Sequence, residues 1–150
     1  MNIYAISDLH LSANAEKPMD VFGGNWEGHF EKIKADWREK VTEEDAVLIA
    51  GDISWAMKMD GAMEDLRSLS PLPGKKVFIR GNHDYWWTTA NKMNAYLKAE
   101  GFDTLHILHN NSYSVEGYAI CGTRGWLFDV GEPHDEKVMN REIGRLKMSL

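Results

Sequence analysis

The chain carries one cysteine, Cys121, so no internal disulfide can form, and a reducing cytoplasm is the expected setting. No uninterrupted apolar stretch approaches the roughly 20 residues that a membrane-crossing helix needs. The N-terminus opens directly on a strand pattern, without the basic and then apolar segment of a secretory signal. Basic residues are in the minority, 17 against 23 acidic ones, for a formal net charge of -6. That deficit disfavours non-specific attraction to nucleic acid or to an anionic membrane. It leaves a phosphate-bearing substrate open, because bound divalent cations would supply local positive charge. Internal repeats, low-complexity tracts and an interdomain linker are missing as well. What is present is a hydrophobic fraction of 43% in 150 residues, enough to bury one core, so a single domain over residues 1–150 is expected.

Hydrophobic period sets the expected elements. Ile3-Tyr4-Ala5-Ile6 is continuously apolar, the mark of a strand covered on both faces. A loop over residues 12–28 follows, punctuated by Pro18, Gly23 and Gly24. Its aromatics, Phe22 and Trp26, are read as plugs pinning it to the core, with a cover over a site mouth as the alternative. Phe30, Ile33, Trp37 and Val41 recur at helical spacing and predict an amphipathic helix over 29–40. A second strand is expected at 46–50. Met59, Met63, Leu66 and Leu69 then make a helical stripe that reads as core. Pro71, Pro73 and Gly74 break the chain before a third strand at 76–79. Ala90, Met93 and Leu97 mark a third helix, with Gly101 as its C-cap. Short apolar runs at 104–108, 112–115 and 118–121 are separated by Asn110-Asn111 and Glu116-Gly117, which predicts antiparallel pairing. Pro133 opens a last amphipathic stretch with Met139, Ile143, Leu146 and Leu150 on its apolar face. Strand-helix alternation through residue 101 implies an α/β fold of βαβ units, with flanking helices and a sheet at least partly parallel.

Chemistry-bearing residues gather at the ends of the expected strands. Asp8-Leu9-His10 follows the first, Gly51-Asp52 the second and Arg80-Gly81-Asn82-His83-Asp84 the third. In open α/β sheets the loops leaving the C-terminal ends of strands collect ligands. An Asp and a His two residues apart can aim at one cation, and their donors suit zinc, iron or manganese. Asp52 can offer one oxygen to each of two metals, and Asn82 adds a neutral carbonyl oxygen. Two cations about 3.5–4 Å apart, bridged by a carboxylate and a hydroxide, are a clamp for hydrolysing phosphate esters. His83 is the candidate acid for the leaving alcohol, since a histidine can carry that proton near neutral pH.

Asp8-Leu9-His10, Gly51-Asp52 and Gly81-Asn82-His83-Asp84, in this order, resemble the first three motifs of the calcineurin-like metallophosphoesterase superfamily. The resemblance runs from residue 1 to about residue 126 in motif order and layout. It implies a mixed sheet with flanking helices, part of a βαββ four-layer α/β/β/α sandwich. It also implies that Asp8 and His10 bind a first metal, Asp52 bridges two, Asn82 binds the second and His83 is the leaving-group acid. The expected cofactors are two divalent ions, manganese, iron or zinc, and the expected substrate is a small phosphate monoester or diester. The family's later histidines, including a Gly-His-x-His motif, have no counterpart here. By the family scheme the first metal then lacks one histidine and the second lacks two. An incomplete domain, holding one cation loosely at Asp8, His10 and Asp52, is therefore expected, and its activity is in question.

Neighbouring residues carry paired readings. Trp86 and Trp87 are read as core packing, with a pocket floor as the alternative. Asp84 is read either as orienting a histidine or arginine, or as a helix N-cap. Arg124 is expected in a salt bridge, with contact to a substrate phosphate as the sharper reading. His29, His106, His109 and His134 are assigned no site role. A non-catalytic interaction module on the same fold is the alternative to an enzyme, and a nuclease is disfavoured by the missing basic stripe.

Overall fold

The computed structural model describes residues 1–13, 17–126 and 133–150. Residues 14–16 of the long first loop lie outside these. Four strands form one parallel sheet in the order β1 (Ile3–Ile6), β2 (Ala46–Ile49), β3 (Lys75–Phe78), β4 (Leu105–Ile107). Its register pairs Ile3 with Ala46, Ala46 with Lys75 and Lys76 with Leu105. The connections carry α1 (His29–Lys40), α2 (Met59–Leu69) and α3 (Ala90–Ala99). A parallel neighbour cannot be reached by a tight turn, so each crossover needs a helix of about this length.

The core is where the apolar stripes meet the sheet. Trp37 and Val41 of the first crossover, Met59, Met63, Leu66 and Leu69 of the second, and Met93 and Leu97 of the third join Val47, Ile49 and Phe78 in one buried cluster. Helix α3 ends as its sequence dictates: Gly101 has φ +70°, its N–H reaches the Lys98 carbonyl, and the Phe102 N–H reaches that of Leu97. This paired return is the glycine-dependent Schellman closure, with Phe102 and Leu97 both buried.

Three expectations are corrected. The strand at Leu105–Ile107 runs parallel to β3, where the turn signals predicted antiparallel pairing. It arrives from α3, and a crossover delivers a parallel neighbour. The antiparallel prediction holds for β5 (Tyr113–Val115) and β6 (Tyr118–Ile120), a separate two-stranded sheet. There Glu116 and Gly117, at φ +49° and +81°, make the tight hairpin turn.

The second correction concerns α4 (Pro133–Ser149). Its buried residues are Val138, Glu142 and Ser149, while Ile143, Leu146 and Leu150 are exposed. Polar anchoring selects that face. Thr123 Oγ1, Arg141 and Arg145 all donate to Glu142. Ser149 Oγ donates to the Asn111 carbonyl and accepts from the Gly122 N–H.

The third correction is Phe22, which is 70% exposed in a 3-10 turn (Met19–Phe22) and plugs nothing. Trp86 and Trp87 are buried in the core. Among the described residues no helix is long and apolar enough to cross a membrane.

Candidate metal centre

Because β1, β2 and β3 are parallel and adjacent, the loops leaving their C-terminal ends share one rim of the sheet. The pairing continues past the strands themselves. The Asp8 N–H donates to the Gly51 carbonyl at 3.1 Å, that of His10 to the Asp52 carbonyl at 2.9 Å and that of Leu11 to the Ile53 carbonyl at 2.8 Å. Within this extension Asp8, His10 and Asp52 adopt φ of 56°, 46° and 50°. A left-handed backbone costs a non-glycine residue about 1–2 kcal/mol, and such strain clusters at functional sites. Leu9, fully buried between Asp8 and His10, fills the core while its neighbours turn outward.

The result is a donor cluster. A carboxylate oxygen of Asp8, a ring nitrogen of His10 and a carboxylate oxygen of Asp52 all lie within 4.8 Å of one another. A single cation, with bonds of roughly 2 Å, would need the most widely spaced of these donors drawn only slightly closer. Two carboxylates and an imidazole fit zinc, iron or manganese.

Asp52 is the most constrained member. It is 6% exposed, with Oδ1 accepting the His83 N–H at 2.9 Å and Oδ2 lying 2.7 Å from His83 Nδ1. Burial pushes its carboxyl up, but the His83 N–H, the His83 ring and the nearby His10 outweigh it, and the group sits below the usual carboxylate range. Two glycines make room for it. A Cβ on Gly81 would collide with the Asp52 backbone nitrogen and Oδ1, and one on Gly51 would come within 2.6 Å of the Gly81 Cα.

Asp84 fixes the relation between these loops. Fully buried, it accepts from the Ile53 N–H at 2.8 Å, the Ser54 N–H at 3.2 Å, the Trp86 indole at 3.0 Å and the Gly81 N–H at 2.7 Å. Burial pushes its carboxyl up in spite of these donors. It therefore neither caps a helix nor orients a histidine. Thr89 is the N-cap of α3.

Two residues that the sequence reading passed over also build the site. His29 spans the Leu9 carbonyl at 2.8 Å and the Trp26 carbonyl at 3.2 Å, tying α1 to the Asp8–His10 loop. Trp55 stacks on His10 at 4.7 Å between ring centres and lies 5.0 Å from His83. Its place three residues after Asp52, in the loop leaving β2, was the one available signal. Trp26 sits 6.3 Å from His10. Asn82 is exposed, its amide nitrogen 3.1 Å from His83 Nδ1, and it lines the same cavity as Asp8 and Asp52. His106 is on β4, His109 follows it and His134 is on α4.

The calcineurin-like phosphoesterase family matches residues 1–145. Two phage proteins are similar to part of the chain: the Gene 66 protein of Mycobacterium phage D29 is 37% identical over 87 residues, and that of phage L5 is 32% identical over 83. Each match covers 55% of this chain and 40% of the phage protein. Among solved structures, the protein of unknown function AQ665 from Aquifex aeolicus superposes with a TM-score of 0.52 at 25% identity. That superposition covers 94% of this chain and 70% of the other. Calcineurin-like phosphoesterases hydrolyse phosphate esters with divalent metals, the chemistry to which this donor cluster is suited, and the chain belongs to that family.

Proposed function

We propose that the chain is a metal-dependent phosphoester hydrolase acting on a small monoester or diester. The observation that carries this reading is the convergence of Asp8, His10 and Asp52, three strained residues from two strand ends, to within 4.8 Å. Asp8, His10 and Asp52 would hold a first cation. Asp52 and Asn82 would hold a second, more loosely, since fewer side chains serve it. Bound there, divalent cations supply Lewis acidity and lower the pKa of water.

The chain's own residues do the rest. Asp52 keeps His83 in place through both the backbone N–H and Nδ1. With Nδ1 engaged by Asp52, Nε2, which lies 3.4 Å from the Asn82 amide nitrogen, is the atom that would hand a proton to the departing oxygen, so the alcohol leaves neutral. Asp84 and Gly81 keep the two loops in register, and Trp55 holds the His10 ring from one face.

Hydrolysis of bis-p-nitrophenyl phosphate with manganese tests the reading. Wild-type protein should turn over, and Asp52→Asn should lose both turnover and most manganese affinity. Absence of turnover with manganese, zinc and iron across pH 5–9 would leave an interaction module on this fold as the better account.

A further inference from the structure

The cavity beside the donor cluster, about 460 Å³, is lined by Asp8, Asp52, Asn82, Arg80, Arg124 and Trp126 among others. Among the described residues neither arginine is engaged in an ion pair. The Nε of each is buried with no hydrogen-bond partner among the described residues. The ion pairs found among those residues engage Arg67, Arg141 and Arg145, not Arg80 or Arg124. Arg124 instead lies over the Trp126 ring, its Cζ 4.6 Å from the ring centre. Both arginines also border a second cavity of about 230 Å³, lined in part by His109, Glu142 and Arg145. Glu142 is already engaged by Thr123, Arg141 and Arg145.

We infer that Arg80 and Arg124 form an oxyanion-binding pair for a second anionic group of the substrate, beside the phosphate that is cleaved, so that the preferred substrates are esters bearing two phosphates. The inference rests on the hydrolase reading above and deepens it. A charge balance supports it. Two divalent cations against the carboxylates of Asp8 and Asp52 and a bridging hydroxide would leave one positive charge, and the two arginines raise it to three. One phosphomonoester dianion offsets two of these, and a second anionic group would meet the one that remains. Planar guanidinium groups donate to phosphate oxygens as a fork. Burial, and then the charge of Arg80, hold the Arg124 guanidinium below its ordinary value, with Glu142 pulling the other way. An anion bound between the arginines would relieve that repulsion.

The test is calorimetric, with adenosine 5′-monophosphate and adenosine 3′,5′-bisphosphate as probes. Each is titrated into manganese-loaded and into chelator-treated protein, wild type and the variants Arg80→Ala, Arg124→Ala and Arg124→Lys. Manganese is titrated separately into each. Wild-type protein should favour the bisphosphate by about tenfold or more, as expected for added hydrogen bonds to charged groups. Either alanine variant should remove that preference while binding manganese as wild type does, and Arg124→Lys should restore part of it. If the two probes weaken equally in the alanine variants, the arginines hold the cleaved phosphate and the inference fails. If the preference survives both substitutions, it also fails, and the metal reading stands. If no manganese binds, the hydrolase reading fails, and the chelator-treated titrations still decide whether the arginines select the second phosphate.

Discussion

At the scale of single residues, the candidate site depends on positions that offer no ligand to a cation themselves. Gly81 is the clearest, because any Cβ there meets the Asp52 backbone and carboxylate. Gly81→Ala should lower manganese affinity by about tenfold or more, the range seen when groups that position metal ligands are lost. Calorimetry reads this directly, and unchanged affinity would show that the loop can yield. Asp84 acts on the backbone itself, accepting four N–H groups from both loops and Trp86. Asp84→Ala leaves several buried donors unmet, at about 1–3 kcal/mol for each. Urea unfolding should show a loss of at least about 3 kcal/mol. These roles explain what the sequence hid. Asp8, His10, Asp52 and His83 stand in a strand-end pattern that can be read directly. The partners of Asp84 lie up to 31 residues away, and no local spacing encodes them. His29 looked like the first residue of a helix and nothing more, since its bond to Leu9 crosses 20 residues.

At the scale of elements, the three crossover helices follow their apolar periods closely, because each stripe has one sheet to cover. Helix α4 does not. Its apolar residues predicted one face, and the bonds of Glu142 and Ser149 seat another. Hydrophobic spacing cannot anticipate a helix anchored by polar groups. Strand β3 holds a second case. Lys76 was expected to head a strand, yet it is fully buried, its Nζ donating to the carbonyls of Ser70 and Leu72. Burial lowers its pKa to about 8 from 10.5. Between those values the unfolded chain binds the extra proton, so stability should rise as pH increases from about 8 toward 10.5. Lys76→Met removes the titrating group. The difference in melting temperature between wild type and this variant should therefore move in favour of wild type across that window. A difference independent of pH would show that the ammonium is not desolvated in the fold.

At the scale of the whole molecule, the strain at the candidate metal centre must be carried by the rest of the fold. Three left-handed residues cost roughly 1–2 kcal/mol each, and two carboxylates are drawn together beside His10. The sheet register, the Asp84 bonds and the His29 tie hold that arrangement in advance, so a cation that occupies it meets donors already gathered. Binding only to the folded state adds stability by mass action, about 2.7 kcal/mol at a hundred times the dissociation constant. For a domain of this size that corresponds to a melting temperature higher by roughly 5–10 °C. Manganese in that excess should therefore raise the wild-type midpoint by such an amount, and a chelator should return it. Asp8→Asn and Asp52→Asn each replace a carboxylate ligand by a neutral amide oxygen, a weaker donor to a cation. Asp8→Asn should melt close to metal-free wild type, Asp52→Asn below it because His83 loses its carboxylate partner, and neither should gain the full manganese increment. Equal increments in wild type and both variants would place the cation elsewhere, and the convergence of the two strand ends would then need another explanation.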